Sequence, residues 1–158
     1  MSGTRVYRVE PLARAFEAVV AAGGSGAREA KIVAENLVTA NLTGHDSHGV
    51  GMIPRYVDSL LEGGLAVNRH PKIVFDGGAM LSLDGQAGYG QVIGLEAMAI
   101  GIARAKHHGM AVMGLGRAHH LGLELYTYAR RRGHRPLCRR IGHGRTPERS
   151  VCHGETPA

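Results

Sequence analysis

The densest group of chemically capable side chains is Gly44-His45-Asp46-Ser47-His48-Gly49, with two imidazoles, a carboxylate and a hydroxyl in one short stretch. Histidine changes charge near neutral pH, its unperturbed pKa being about 6.5, so it can both give and take protons there. Three readings of the segment stand side by side. His48, between Ser47 and Gly49, gives a proton to a carbonyl oxygen; His45, Asp46 and His48 ligate a metal; or Asp46 and Ser47 cap the next helix in a solvated polar turn. No CxxC or HExxH pattern supports the metal, and none is expected. A second group, Arg117-Ala118-His119-His120-Leu121-Gly122, follows an apolar run expected to be a strand. Ligands in α/β proteins collect beyond such strand ends, so the place suits chemistry, while the plainer reading is a polar loop with one histidine bonded to backbone.

The third group is Gly88-Tyr89-Gly90-Gln91-Val92-Ile93-Gly94, between an expected strand and an expected helix. Its GxGxxxG spacing imitates a dinucleotide fingerprint, whose usual form is GxGxxG. The acid expected after the next strand is missing, and Gly114-Leu115-Gly116-Arg117 stands there instead. A tight turn with close helix–strand packing is the better reading, and a standard Rossmann fold is rejected. His107 and His108 fall at an expected helix C-terminus, where a positive charge complements the dipole, so capping accounts for them.

The elements that must carry these groups follow from periodicity. Leu12, Phe16, Val19 and Val20 form one helical face over residues 10–22, stopped by Gly23-Gly24. A second helix is expected from a Ser25 N-cap to about Leu42, with Ile32, Val33, Leu37 and Val38 inward. A third carries Ile53, Tyr56, Val57, Leu60 and Leu61 and ends at Gly63-Gly64. Short strands at 72–75 and 79–84 flank the turn signal Asp76-Gly77-Gly78. A helix over 91–107 and a buried strand over 110–114 complete a strand–helix–strand unit. The chain therefore reads as an α/β fragment: a helical segment 1–64, a partial α/β domain 65–128, and a remainder 129–158.

The remainder differs in kind. The 158 residues carry a formal net charge of +6, yet residues 1–128 hold 11 basic and 11 acidic side chains. The last 30 residues hold eight arginines against two acids, and both cysteines. No helical or strand period survives there and little is apolar. Disorder and a basic arm for nucleic acid or an anionic surface both fit this stretch, and out-of-frame translation of GC-rich DNA fits it better. A basic-tailed binding module is the rival reading of the protein. Without interleaved aromatics or a prepared groove, nucleic acid is not expected as a partner. No run approaches the roughly 20 apolar residues of a membrane span and no signal segment opens the chain, so a secreted or membrane protein is not expected.

Residues 45–57 (HDSHGVGMIPRYV), 83–91 (LDGQAGYGQ) and 109–122 (GMAVMGLGRAHHLG) together resemble the type 2 malate/L-lactate dehydrogenases. Ureidoglycolate, 2,3-diketogulonate and sulfolactate enzymes are among that family's members. The resemblance runs from about Glu10 to Tyr128. It implies a non-Rossmann α/β fold and an NAD- or NADP-dependent oxidoreductase of 2-hydroxy or 2-oxo acids, homodimeric and cytoplasmic. It also implies that His48 and His120 are the catalytic acid/base residues and that Tyr56 faces the substrate. Some relatives carry an arginine four residues after the matching histidine; Met52 stands there here, and Arg55 follows one helical turn on. Family chains are much longer, with most nicotinamide-binding residues beyond the matched part. A truncated, inactive form is therefore the expectation for this chain.

Overall fold

The computed structural model describes residues 6–122, together with the backbone of Arg139–Ile141 and Glu148–His153. Helices α1 (Val9–Ala22), α2 (Ala27–Leu42) and α3 (Ile53–Leu61) come first. Strands β1 (Lys72–Gly77) and β2 (Met80–Asp84), helix α4 (Gly90–His108) and strand β3 (Met110–Gly116) follow. β1 and β2 pair antiparallel through a tight turn, with Gly77 opposite Met80, and β2 runs parallel to β3 with α4 as the crossover. β4 (Arg139–Ile141) and β5 (Glu148–His153) complete a sheet of order β1-β2-β3-β5-β4. Most of 129–158, where sequence leads to expect disorder or an out-of-frame product, lies outside the described residues. An unpaired edge at 111–115 is also expected from sequence, but Ala111 to Leu115 pair antiparallel with β5. Ala111, Met113 and Leu115 are buried.

Helix α4 is the shared wall of two apolar clusters. Ile93, Ala97 and Met98 pack on Leu81, Leu83, Met113 and Leu115 of the sheet. Val92 joins Val20, Val33, Leu37, Ile53, Tyr56 and Tyr89 on the helical side. A helix covered on two sides must be apolar around most of its girth, and this one is. Its C-terminal turn carries Lys106, His107 and His108 before Gly109, which supplies the left-handed conformation at φ 79°.

Local expectations are corrected in three places. The α2 N-cap is Gly26, not Ser25; the Ser25 hydroxyl instead donates to Glu29 Oε1 at 2.7 Å, because Glu29 is buried and needs a donor. Val19, expected inward, lies exposed on α1, whose buried contact is Val20. β3 runs two residues further than its apolar run suggests, to Gly116. Leu83→Ala, at 1% exposure under α4, is expected to cost about 3 kcal/mol in urea denaturation. Leu61→Ala, at 81% exposure, should change stability by no more than about 0.5 kcal/mol. Equal losses would contradict this assignment of the core.

Candidate active site

His48 and His120, 72 residues apart in sequence, meet at 2.7 Å between His48 Nδ1 and His120 Nε2. Their rings stack with centroids 5.0 Å apart and planes 11° from parallel. His120 Nδ1 lies 2.8 Å from the Tyr56 hydroxyl, which accepts a hydrogen bond from Gln91 Nε2 at 2.6 Å. Four side chains thus form one line from the centre of the molecule to its surface. Gln91 is 0% and Tyr56 1% exposed, His48 is half-buried, and His48 Nε2 has no partner among the described residues. Burial pushes the Tyr56 hydroxyl up from 10.0 to about 12, so it stays protonated across the working range.

Each member is placed by a specific local device. His48 lies in a 3-10 turn, Asp46–His48, pinned to α2 by Asn41. The Asn41 amide donates to Asp46 Oδ1 at 2.6 Å and accepts from the Val50 N–H at 2.8 Å. A Cβ on Gly49 would lie 2.1 Å from Asn41 Oδ1, so only glycine lets that amide pass. Asp46 therefore serves Asn41 rather than capping α3, whose N-terminus has no side-chain cap. His120 is held from the other side. A Cβ on Gly90 would fall 2.2 Å from the His120 carbonyl oxygen and 2.4 Å from that of His119.

The segment joining β3 to His120 is zipped onto the glycine loop. Gly85 N–H donates to Gly116 O at 2.8 Å, Ala87 N–H to Arg117 O at 2.6 Å, and His119 N–H to Gly88 O at 3.0 Å. Gln86, Ala87 and Arg117 take positive φ of 52°, 57° and 50°, a costly conformation for residues with a Cβ. Asp84 holds both strained turns: it accepts the Gln86 N–H at 2.8 Å and a two-pronged contact from Arg117 at 2.9 and 2.5 Å. Those bonds hold its carboxyl below the ordinary carboxylate range. The glycine-rich segment is thus a packing device, as its off-register spacing suggests.

The remaining candidates divide. His45 turns back to the Thr43 carbonyl at 3.1 Å, so His45, Asp46 and His48 do not converge. Among the described residues no group of three or more His, Cys, Asp or Glu side chains is arranged to hold a metal. Arg55 lies exposed on α3 beside Tyr56 with no ion pair among the described residues. Tyr56, expected to face substrate, is buried, and its hydroxyl lies 2.8 Å from His120 Nδ1. Gln91 and Asn41 escape sequence reasoning, because a polar residue inside an apolar or glycine-rich stretch carries no sign of its partner.

His119 meets Tyr56 edge-on at 5.5 Å, and its Nδ1 is buried without a hydrogen-bond partner. Burial first, and the Arg55 charge second, lower its pKa below 6.5. The unfolded chain therefore binds this proton more readily than the folded one. The stability His119 confers is complete above about pH 6.5 and is lost as pH falls through its depressed folded value. In an NMR titration His119 should take its proton below pH 6.5, and Arg55→Gln should raise that midpoint. A midpoint above 6.5 would contradict the placement.

Comparison with known proteins identifies the relatives of the chain. Residues 7–132 match the malate/L-lactate dehydrogenase family. The chain is 48% identical over 121 residues to hydroxycarboxylate dehydrogenase B of Escherichia coli K12, covering 77% of this chain and 33% of that protein. It is 40% identical over 103 residues to malate dehydrogenase of Pyrococcus abyssi, covering 65% of this chain and 28% of the other. A malate/lactate dehydrogenase structure from E. coli superposes with a TM-score of 0.75 at 44% identity, over 82% of this chain and 36% of that one. Sulfolactate dehydrogenase from Methanocaldococcus jannaschii gives 0.73 at 32% identity, over 80% and 36%. The chain spans about a third of the length of these relatives. With its three helices, its β2–α4–β3 unit and this likeness, the chain belongs to the malate/L-lactate dehydrogenase family.

Proposed function

We propose that the whole protein is an NAD- or NADP-dependent oxidoreductase interconverting 2-oxo and 2-hydroxy acids, with His48 and His120 as its acid/base pair. The contact of 2.7 Å between these imidazoles, which leaves His48 Nε2 without a partner among the described residues on a half-exposed ring, carries the reading. The names of the relatives, hydroxycarboxylate, malate and sulfolactate dehydrogenases, point to the same substrate class. When a carbonyl oxygen becomes a hydroxyl it needs one proton, and His48 Nε2 is the atom from which this chain would give it. His120, bonded to the opposite nitrogen of His48, shares the positive charge of the protonated pair, which is neutral once the proton has been given. Arg55 is proposed to hold the substrate carboxylate in a two-pronged grip. Tyr56 is proposed to act through His120 rather than by touching substrate.

The nicotinamide group finds no cradle at the glycine-rich segment 85–94. The space beside Gly90 is filled by the His119 and His120 carbonyls, and Asp84 is engaged by Arg117. This segment does not fit the cofactor's phosphates or ribose, and the described residues are proposed to serve proton transfer through His48 and His120 and carboxylate binding through Arg55. Residues 1–64 and 65–128 are proposed to form one catalytic unit, with 129–158 outside it. The 158 residues alone are proposed to bind substrate without turnover. The family reading further proposes a cytoplasmic homodimer. No described helix is long and apolar enough to cross a membrane.

Titrating pyruvate or oxaloacetate into the chain should produce saturable NMR shifts at residues 47–56 and 119–121. Arg55→Gln should weaken that binding about tenfold, the loss of a charge-assisted pair of bonds. Shifts that are absent, or indifferent to Arg55→Gln, would contradict the proposed site.

A further inference from the structure

Gln91 has no place in the acid/base reading, yet it is fully buried at the start of α4 and ends the line of hydrogen bonds through Tyr56 and His120 to His48. A line of this kind has a direction. Because the Gln91 amide donates to the Tyr56 oxygen, the Tyr56 O–H is free to donate onward to His120 Nδ1. His120 Nδ1 is then an acceptor, and a neutral imidazole with Nδ1 accepting carries its proton on Nε2. That proton is donated to His48 Nδ1, so His48 in turn carries its own proton on Nε2, the nitrogen with no partner among the described residues. The opposite placement of the Gln91 amide would leave both of its buried N–H donors without a partner among the described residues, where the present one leaves a single N–H and the carbonyl oxygen, and stranded donors are the rarer of the two.

We propose that Gln91 is a positioning residue that sets the tautomers of His120 and His48 through Tyr56, so that the resting site presents His48 Nε2–H to a carbonyl oxygen. A site arranged in this way favours the 2-oxo acid, whose carbonyl oxygen can only accept, over the 2-hydroxy acid, which fits only with its own hydroxyl proton turned away from Nε2–H. The groups facing the line are His119 and Tyr89, edge-on to Tyr56 at 5.5 and 5.6 Å, with the Arg55 charge acting on His119 and the Glu29 charge on Tyr89. None of them interrupts it. The inference rests on the proposed function for its consequence alone. Tautomers are read without turnover, so its failure leaves the acid/base reading of the two histidines standing.

The test is long-range proton–nitrogen NMR of the imidazoles in the full 158-residue chain. His120 and His48 are both expected as Nε2–H tautomers, and His120 found mainly as Nδ1–H overturns the proposal. Gln91→Met keeps the length of the side chain and removes the donor. It should raise the Nδ1–H share of His120 about tenfold, the weight of one hydrogen bond. An unchanged share in a variant whose other resonances hold their positions overturns the role given to Gln91. If that variant does not fold, the wild-type tautomers decide. In the same sample pyruvate should bind about tenfold more tightly than L-lactate; the reverse order counts against the proposal.

Discussion

A phenol and an amide shut away from water must find their hydrogen bonds inside the protein, because an unmet buried polar group costs about 1–3 kcal/mol. Tyr56 from α3 and Gln91 from α4 meet that requirement partly in each other, and Tyr56 completes it on His120. The helical layer and the sheet layer are thereby joined by a polar seam through otherwise apolar packing. Everything else at the site is arranged around that seam. The loop after β3 must arrive at one height to bring His120 to Tyr56, and the turn after α2 must arrive at another to bring His48 to His120.

Placing two loops this closely has structural costs, and they are visible. Glycines stand where backbone or an amide passes within van der Waals distance, at Gly49 beside Asn41 and at Gly90 beside the His119 and His120 carbonyls. Three residues with a Cβ accept positive φ in the turns leading to His120. Asp84 offsets part of that strain by bonding to both turns at once. Strain held by surrounding bonds at the approach to a site is the usual signature of a preset geometry. The half-buried end of the seam is His48.

Much of this architecture is legible in the sequence. The three helices, the hairpin turn and the strand–helix–strand unit follow from apolar periods and glycine stops, since those signals are local. The motifs around His48 and His120 identify the family, and they name the two histidines. Their meeting is not legible, because nothing at residue 48 records a partner 72 positions away. Tyr56 illustrates the reverse difficulty. Its helical spacing marks it as a face residue, and only the packing shows that its ring is core while its hydroxyl serves His120. Gln91 is hidden by its neighbours, since a glycine-rich segment draws attention to phosphate cradles rather than to one amide. Ser25 fails as a cap for a related reason: the buried carboxylate of Glu29 competes for its hydroxyl.

The central claim is that His48 and His120 work as one acid/base unit. Its most direct test is the rate of NADH or NADPH oxidation with a 2-oxo acid by the whole protein carrying His48→Gln, His120→Gln, or both. Each single change should lower the rate by roughly 10²- to 10⁴-fold, and the pair together should lose little more than the worse single. Losses that multiply would show two independent groups. A single variant at the full rate would remove that histidine from the chemistry altogether.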